Sequence, residues 1–404
     1  MIPFSPPRMD QKIIDEVVDT LKSGWITTGP KTKKLETLIS AYCGHPKTLC
    51  VNSGSGGLEL MLRWFGIGEG DEVILPAYTY TATANVIVHT GAKPVFVDVG
   101  NDFNIDVEEV RAAITPNTKV IMPVDIGGWP CDYEEINALV REENIRKQFT
   151  PKTEEQKLLG RILVLSDAAH SLGAEYKGRK TGSLTDITVF SFHAVKNLTT
   201  SEGGAICLNL PEPFNNENLY KYLNIKSLHG QSKDALAKTQ IGNWRYDVLE
   251  AGYKYNMTDI AAAMGLVEIE RYEEDMLPKR KYIFDRYAKA LSQYDWAIIP
   301  TYESEDKKSS YHVFMLRIKG ATEVRRDQVI NGIFKRDVSV NVHFIPVPMM
   351  TFYSKLGYSI GDAPNAFMNY ANEISLPVYY DLTDEQIDQV IKAVVESVEA
   401  AFRL

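Results

Sequence analysis

The sequence is short of the residues that mark several protein classes. Only four cysteines occur in 404 residues (Cys43, Cys50, Cys131 and Cys207), and none forms a Cys-x-x-Cys pair. Such scatter suggests neither a disulfide framework nor a zinc site and fits a reducing compartment. An excess of positive charge is missing too. Lys and Arg number 44 against 53 Asp and Glu, a formal net charge of −9 with the two signs interspersed. That balance argues against nucleic acid or an anionic membrane as a general partner and leaves room for a local basic pocket around a phosphate. No apolar run is long enough to span a bilayer. The first residues, Met-Ile-Pro-Phe-Ser-Pro-Pro-Arg-Met-Asp, lack the basic-then-apolar order of a signal peptide. A soluble, cytoplasmic enzyme is expected. His45, His89, His229 and His312 show no metal-ligand spacing, so no metal is expected. Without a Gly-x-Ser-x-Gly elbow, a serine hydrolase has no support. Internal repeats and low-complexity tracts are absent.

What is present is a hydrophobic content of 44%, enough for a large core with a second, smaller unit. From about residue 47 to 210, short apolar runs alternate with helical patterns. Strands are predicted at Glu72–Leu75, Pro94–Val99, Lys119–Val124, Ile162–Ser166, Ile187–Phe192 and Ala205–Leu208. Helices are predicted at Gly57–Trp64 and Val107–Ala113. Several strands are apolar on both faces, as in a sheet covered by helices on each side. The alternation predicts an α/β fold around a mostly parallel sheet. The charged stretch 141–157 reads as an exposed, inserted helix and loop. After residue 256 the pattern changes. A long helix over Asp259–Tyr294 is expected to break at Pro278. Strands follow at His312–Ile318, Val338–His343 and Ile374–Leu376, and a helix at Thr383–Phe402 opens on a Thr383/Gln386 capping box. The division expected is a large α/β domain over 1–256 and a small α+β domain over 257–404.

Three segments carry possible chemistry. In Asn-Ser-Gly-Ser-Gly-Gly-Leu-Glu-Leu (52–60) small residues open an amphipathic helix, whose free N–H groups and dipole suit a phosphate. A plain loop and N-cap explain the same residues. In Val-Leu-Ser-Asp-Ala-Ala-His (164–170), Asp167 stands at the C-terminal end of a strand, the usual ligand position in an α/β sheet. There it could pair with a protonated ring nitrogen, with His170 in reach of the same ligand, or simply cap the next helix. In 191–204, Lys196 follows a buried strand and precedes a Gly-Gly expected to need an unusual backbone. Most lysines are solvated. One desolvated beside a ring or another cation has a depressed pKa, as Schiff-base chemistry requires. The three together, in this order, are more specific than any one.

The chain resembles, over nearly its whole length, the fold-type I pyridoxal phosphate (PLP) sugar aminotransferases of the DegT/DnrJ/EryC1/StrS family. The matching blocks are Ser-Gly-Trp-Ile-Thr-Thr-Gly-Pro (23–30), Ser-Gly-Ser-Gly-Gly-Leu (53–58), the run from Gly70 to Asn85, Asp-Ala-Ala-His (167–170), Ser-Phe-His-Ala-Val-Lys (191–196), Glu-Gly-Gly (202–204) and Gly-Tyr-Lys-Tyr-Asn-Met-Thr-Asp (252–259). Within the family, two of these blocks look most like the branch that aminates a UDP-4-keto-pentose to UDP-4-amino-4-deoxy-L-arabinose. The resemblance implies that Lys196 forms the Schiff base and that Asp167 keeps the pyridine nitrogen protonated. It places His170 near the ring's 3-oxygen, Tyr80 stacked on the ring, and Ser55, Gly56 and Ser191 on the phosphate. Lys254 matches a residue supplied from the neighbouring subunit, implying a homodimer with shared active sites. Thr28, His193, Asn256 and His343 are the substrate-side candidates. The chain departs from common members in having Lys254 and Asn256 in Gly-Tyr-Lys-Tyr-Asn, and Asp125 where histidine is frequent.

The reaction so implied is a ping-pong transamination through the Lys196 Schiff base, from L-glutamate to a nucleotide-linked keto sugar, most simply a 4-keto sugar. The lysine separates this reading from dehydratases of the same fold, which carry histidine there. A cyclitol or other cyclic ketone is the alternative acceptor. From another class, a non-catalytic PLP-binding regulator would be expected to carry a DNA-binding segment, which neither end is expected to accommodate.

Overall fold

A computed structural model describes residues 1–232 and 245–403. Its centre is a seven-stranded sheet: β1 Lys47–Val51, β2 Glu72–Pro76, β3 Lys93–Val97, β4 Thr118–Ile121, β5 Leu163–Asp167, β6 Ile187–Ser191 and β7 Gly204–Leu208, in the spatial order β1-β7-β6-β5-β4-β2-β3. Only β7 runs antiparallel to its neighbours; the rest pair in parallel. Every residue of β5 and β7 is buried, as strands covered on both faces must be. Parallel pairing of β5 with β6 brings Asp167 level with Val189. The C-terminal ends of β1, β5 and β6 therefore share one edge of the sheet, the edge where open α/β sheets bind ligands.

The strand of this sheet that sequence patterning does not predict is β1. Its Lys-Thr-Leu-Cys-Val has neither strict alternation nor a continuous β-branched run, and pairing with β7 makes it a strand.

A second sheet of β8 Ala297–Ile298, β9 Phe314–Ile318 and β10 Glu373–Leu376 is antiparallel. The strand expected over Val338–His343 is reduced to isolated bridges, Ile2 to Val338 and Asn341 to Ser375. Side chains take over the backbone groups there. Tyr78 OH donates to the His343 carbonyl, Glu373 accepts the His343 N–H, and Asn341 Oδ1 accepts from Val342.

The long helix divides into Asp259–Glu270 and Leu277–Leu291, joined by a π-turn at Tyr272–Met276. The break thus precedes Pro278, which sits in the first turn of the second helix, where its missing N–H leaves nothing unpaired. The capping box is present, with Thr383 Oγ1 accepting from Gln386 N–H and Gln386 Oε1 from Thr383 N–H.

The stretch 141–157 is more than an exposed extension. It forms the helix Glu143–Gln148 and begins the helix Glu154–Leu159. Ile145, Phe149 and Gln156 are buried, and Gln156 Nε2 donates to the Phe65 carbonyl at 2.8 Å. Among the described residues no helix is long and apolar enough to cross a membrane.

Candidate active site

The chain leaves β1 and turns at once into the helix Gly54–Trp64, capped by Ser53, whose Oγ accepts the Gly56 N–H at 3.0 Å. That bond occupies one of the anticipated anion donors, and Gly56 lies behind the turn. The N–H groups of Gly54 and Ser55, at the helix start, have no intrahelical acceptor, and both residues line the cavity. Ser191, ending β6, lies alongside: a Cβ on Gly54 would come 3.2 Å from Ser191 Cβ. The glycine therefore lets the helix start pack closely against the end of β6. Gly203 and Gly204 serve close packing rather than an unusual backbone. Neither has a positive φ, and a Cβ on Gly204 would lie 2.6 Å from Gly54 N.

Asp167 ends β5, buried, with Thr83 Oγ1 donating to Oδ2 at 2.8 Å and the Ala169 N–H donating to Oδ1 at 3.2 Å. Burial pushes its carboxyl above the usual range, while the two donors and Lys196 pull it down. A buried carboxylate facing a cavity with acceptor capacity to spare suits a cationic N–H partner. Lys196 lines the same cavity, half-buried by area but with its ammonium enclosed. Desolvation lowers its pKa to about 8 against the opposing pull of Asp167.

His170 is neutral. Burial is the main cause, helped by Lys196 and His343, and takes it well below the ordinary histidine value. Its Nδ1 accepts the Gly127 N–H at 3.2 Å, so the ring hydrogen sits on Nε2. Tyr80 stands at the mouth, 61% exposed and 5.7 Å from the Phe344 ring. These groups enclose a cavity of ≈ 340 Å³, within the range of cofactor and small-ligand sites.

His193 and His343 also line this cavity, His193 being paired with Glu202 at 3.8 Å. Thr28, Lys254 and Asn256 do not. They form a separate cluster, in which Asn256 Nδ2 donates to Thr28 Oγ1 at 2.7 Å and Lys254 Nζ to Asn256 Oδ1 at 2.7 Å. Lys254 is exposed. Asp125, one of the departures from common members, is buried and accepts from Tyr133 OH, Ser171 Oγ and Cys131 N–H; it braces the loop behind His170 rather than lining the cavity.

Sequence reasoning missed Phe4, which reaches in from the N-terminus, and Phe344. It also missed His312, whose ring packs 4.4 Å from that of His170. The His312 ring is held by Asn197, whose Oδ1 accepts from its Nδ1 at 2.8 Å. No spacing in the sequence joins residues 197 and 312.

Fold and cavity together define a cofactor-dependent transferase of the α/β class, with an enclosed lysine set beside a strand-end carboxylate. The sequence profile described as the DegT/DnrJ/EryC1/StrS aminotransferase family matches residues 7–147 and 155–395. The chain belongs to this family, and is accordingly a PLP-dependent sugar aminotransferase. The gap in the match falls inside the charged insertion.

Among solved structures, the chain is similar to the putative sugar aminotransferase Spr1654 of Streptococcus pneumoniae. In its PMP (pyridoxamine phosphate) form that protein is 46% identical, with 99% of this chain and 100% of that chain covered and a TM-score of 0.95; a PLP form of the same protein superposes with a TM-score of 0.94. The spore coat polysaccharide biosynthesis protein SpsC of Bacillus subtilis is 38% identical, over 99% of this chain and 98% of its own length. PseC of Helicobacter pylori, an aminotransferase of pseudoaminic acid biosynthesis, is 25% identical with a TM-score of 0.85, covering 99% of each chain.

Proposed function

We propose that the chain transfers an amino group from L-glutamate to the ketone of a nucleotide-linked sugar, with a 4-keto sugar as the simplest acceptor. The observation that carries this reading is Lys196, enclosed in one cavity with the buried Asp167 and with a pKa brought to about 8. The cavity fits PLP: the open helix start at Gly54 and Ser55, with Ser191, would hold the phosphate. Asp167 would hold the ring nitrogen, His170 Nε2–H the 3-oxygen, and Tyr80 one ring face. When bound, PLP supplies the electron sink that lets an amino acid's Cα lose its proton.

The protein's own groups then do the following. Lys196 Nζ takes the Cα proton as a free amine and returns a proton as an ammonium. Asp167, held by Thr83 and Ala169, keeps a hydrogen-bond acceptor fixed and dry at the strand end. His193 and His343 bound the side left for the sugar. Thr28, Lys254 and Asn256, outside this chain's cavity, are read as facing the site of a second copy in a homodimer. Residues 1–256 and 257–404 are read as the large and small domains that close on the cavity.

The relatives' roles in polysaccharide and pseudoaminic acid biosynthesis support a sugar acceptor. The test is a panel of UDP-, dTDP- and GDP-linked keto sugars incubated with glutamate, following 2-oxoglutarate release. Release that depends on one of these sugars is expected. Turnover of glutamate with cyclitol ketones alone would overturn the nucleotide-sugar assignment.

A further inference from the structure

Behind the cavity wall, the second sheet holds a buried carboxylate that the reaction above leaves unused. Glu373 opens β10, has no exposed surface, and sits opposite Arg317 in the ladder. Its Oε1 lies 2.5 Å from Ser375 Oγ, and its Oε2 accepts the His343 N–H at 3.1 Å. Ser375 Oγ is in turn 2.9 Å from His343 Nδ1. The His343 ring lines the cavity and stacks on Phe4, with centroids 5.4 Å apart.

A serine hydroxyl has one proton to give, so this chain has two self-consistent states. With Glu373 ionised, Ser375 donates to the carboxylate, its oxygen accepts Nδ1–H from His343, and Nε2 is bare. With Glu373 protonated, the acid donates to Ser375, Ser375 donates to Nδ1, and the neutral ring carries its hydrogen on Nε2. We propose that Glu373, Ser375 and His343 form a proton relay that decides whether His343 Nε2 offers the sugar side of the cavity a hydrogen-bond donor or an acceptor. The inference rests on reading His343 as a substrate-side residue.

Passing from donor to acceptor state, the Nε2 proton leaves into the cavity, the Ser375 proton moves to Nδ1, and the Glu373 proton moves to Ser375 Oγ. One proton is released, Glu373 ends charged, and no co-reactant is needed.

Glu373 is faced by Arg317 on β9, by Arg326 on the helix Glu323–Phe334, whose Nη1 donates to the Glu373 carbonyl at 3.2 Å, and by Tyr78 after β2. The arginines favour the anion. Burial opposes them and dominates, carrying the carboxyl up to about 8. His343 is faced by Lys196, His170 and His312. Burial first, and then Lys196, lower its own pKa to about 4. Around neutral pH the ring therefore stays uncharged, and only the relay changes what Nε2 presents. A keto oxygen is an acceptor, so the donor state, with Glu373 protonated, is the one that suits the acceptor sugar. Glu373 and Ser375 are positioning residues in this scheme.

The test is ¹⁵N NMR of the PLP-loaded protein labelled at histidine, with the His343 signals assigned by their loss in His343→Gln. In the wild type His343 is expected to move from Nε2–H to Nδ1–H as pH rises, with a midpoint of about 8. In Glu373→Gln the amide donates to Ser375 as the acid does, so the ring should stay Nε2–H throughout. In Ser375→Ala, which removes only a hydroxyl, its tautomer should no longer follow pH. In kinetics, the wild-type KM for a UDP-linked 4-keto hexose should rise about tenfold per pH unit above the midpoint, and that rise should vanish in Glu373→Gln. A single His343 tautomer across the neutral and alkaline range in the wild type, or an unchanged switch in Glu373→Gln, overturns the relay. If the switch occurs but His343→Gln leaves the sugar KM unchanged, the relay stands and the placement of the sugar fails.

Discussion

At the scale of single residues, the site works by withholding water from charges. Lys196 has about 8 as its pKa because desolvation outweighs the pull of Asp167. The reactive free amine therefore grows as pH rises through that value and is scarce well below it. In cofactor-free protein, Lys196 should accordingly be among the lysines most reactive towards an amine-directed reagent, with a reactivity midpoint of about 8 when followed by peptide mass spectrometry. Lys196→Ala should abolish 2-oxoglutarate release while leaving PLP removable by gel filtration; wild-type turnover in that variant would remove Lys196 from the chemistry. Thr83 tests the other charge. Its hydroxyl is one of two donors to Asp167. Thr83→Val keeps the shape but leaves that carboxylate oxygen short of a partner, a cost of roughly 1–3 kcal/mol, and raises the Asp167 pKa further above its ordinary value. If the cost falls on the charged form that holds the cofactor, kcat/KM should drop by about 5- to 160-fold. An unchanged rate would show that Asp167 holds its charge without Thr83.

At the scale of elements, local chemistry is legible in the sequence where a side chain announces its own role. The Thr383/Gln386 pair marks the start of the last helix by residue type and spacing alone, and both reciprocal bonds are formed. Thr383→Ala should lower unfolding stability by about 1 kcal/mol, read as a shifted denaturant midpoint with the slope unchanged, and transamination should be unaffected because Thr383 does not line the cavity. Central strands are legible for the same reason: β5 is apolar on both faces and ends in one carboxylate. What is not legible depends on partners distant in the chain. β1 is a strand because β7 lies beside it, and Val338–His343 fails to become one because Tyr78 and Glu373 take the backbone groups of His343. The Asn197–His312 contact and the Glu373–Ser375–His343 chain are invisible for that reason too, since neither has a local periodicity or spacing. Lys196, Asp167 and the turn at 53–55 can be singled out because each sits at the end of a recognisable strand or the start of a helix.

At the scale of the whole molecule, the cavity of one chain leaves out part of the expected machinery. Lys254 is exposed with Nζ on Asn256, and Tyr80 is 61% exposed at the mouth. The helix Gln11–Ser23 carries Ile14, Val18 and Leu21 exposed on one face, at the i, i+4, i+7 spacing of a stripe that packs against something. A two-fold dimer would cover such surfaces and let each Lys254 reach the partner's phosphate, because an isologous interface delivers the same residue to both sites. This makes an arithmetic prediction. Lys196→Ala and Lys254→Ala should each be nearly inactive alone. When the two are unfolded together, mixed and refolded, half of the dimers formed by random pairing are mixed. Each mixed dimer has one site with both lysines intact and one with neither, so roughly a quarter of wild-type activity should return. If Lys254 instead serves the cavity of its own chain, every site in the mixture lacks one lysine or the other, and mixing should restore nothing.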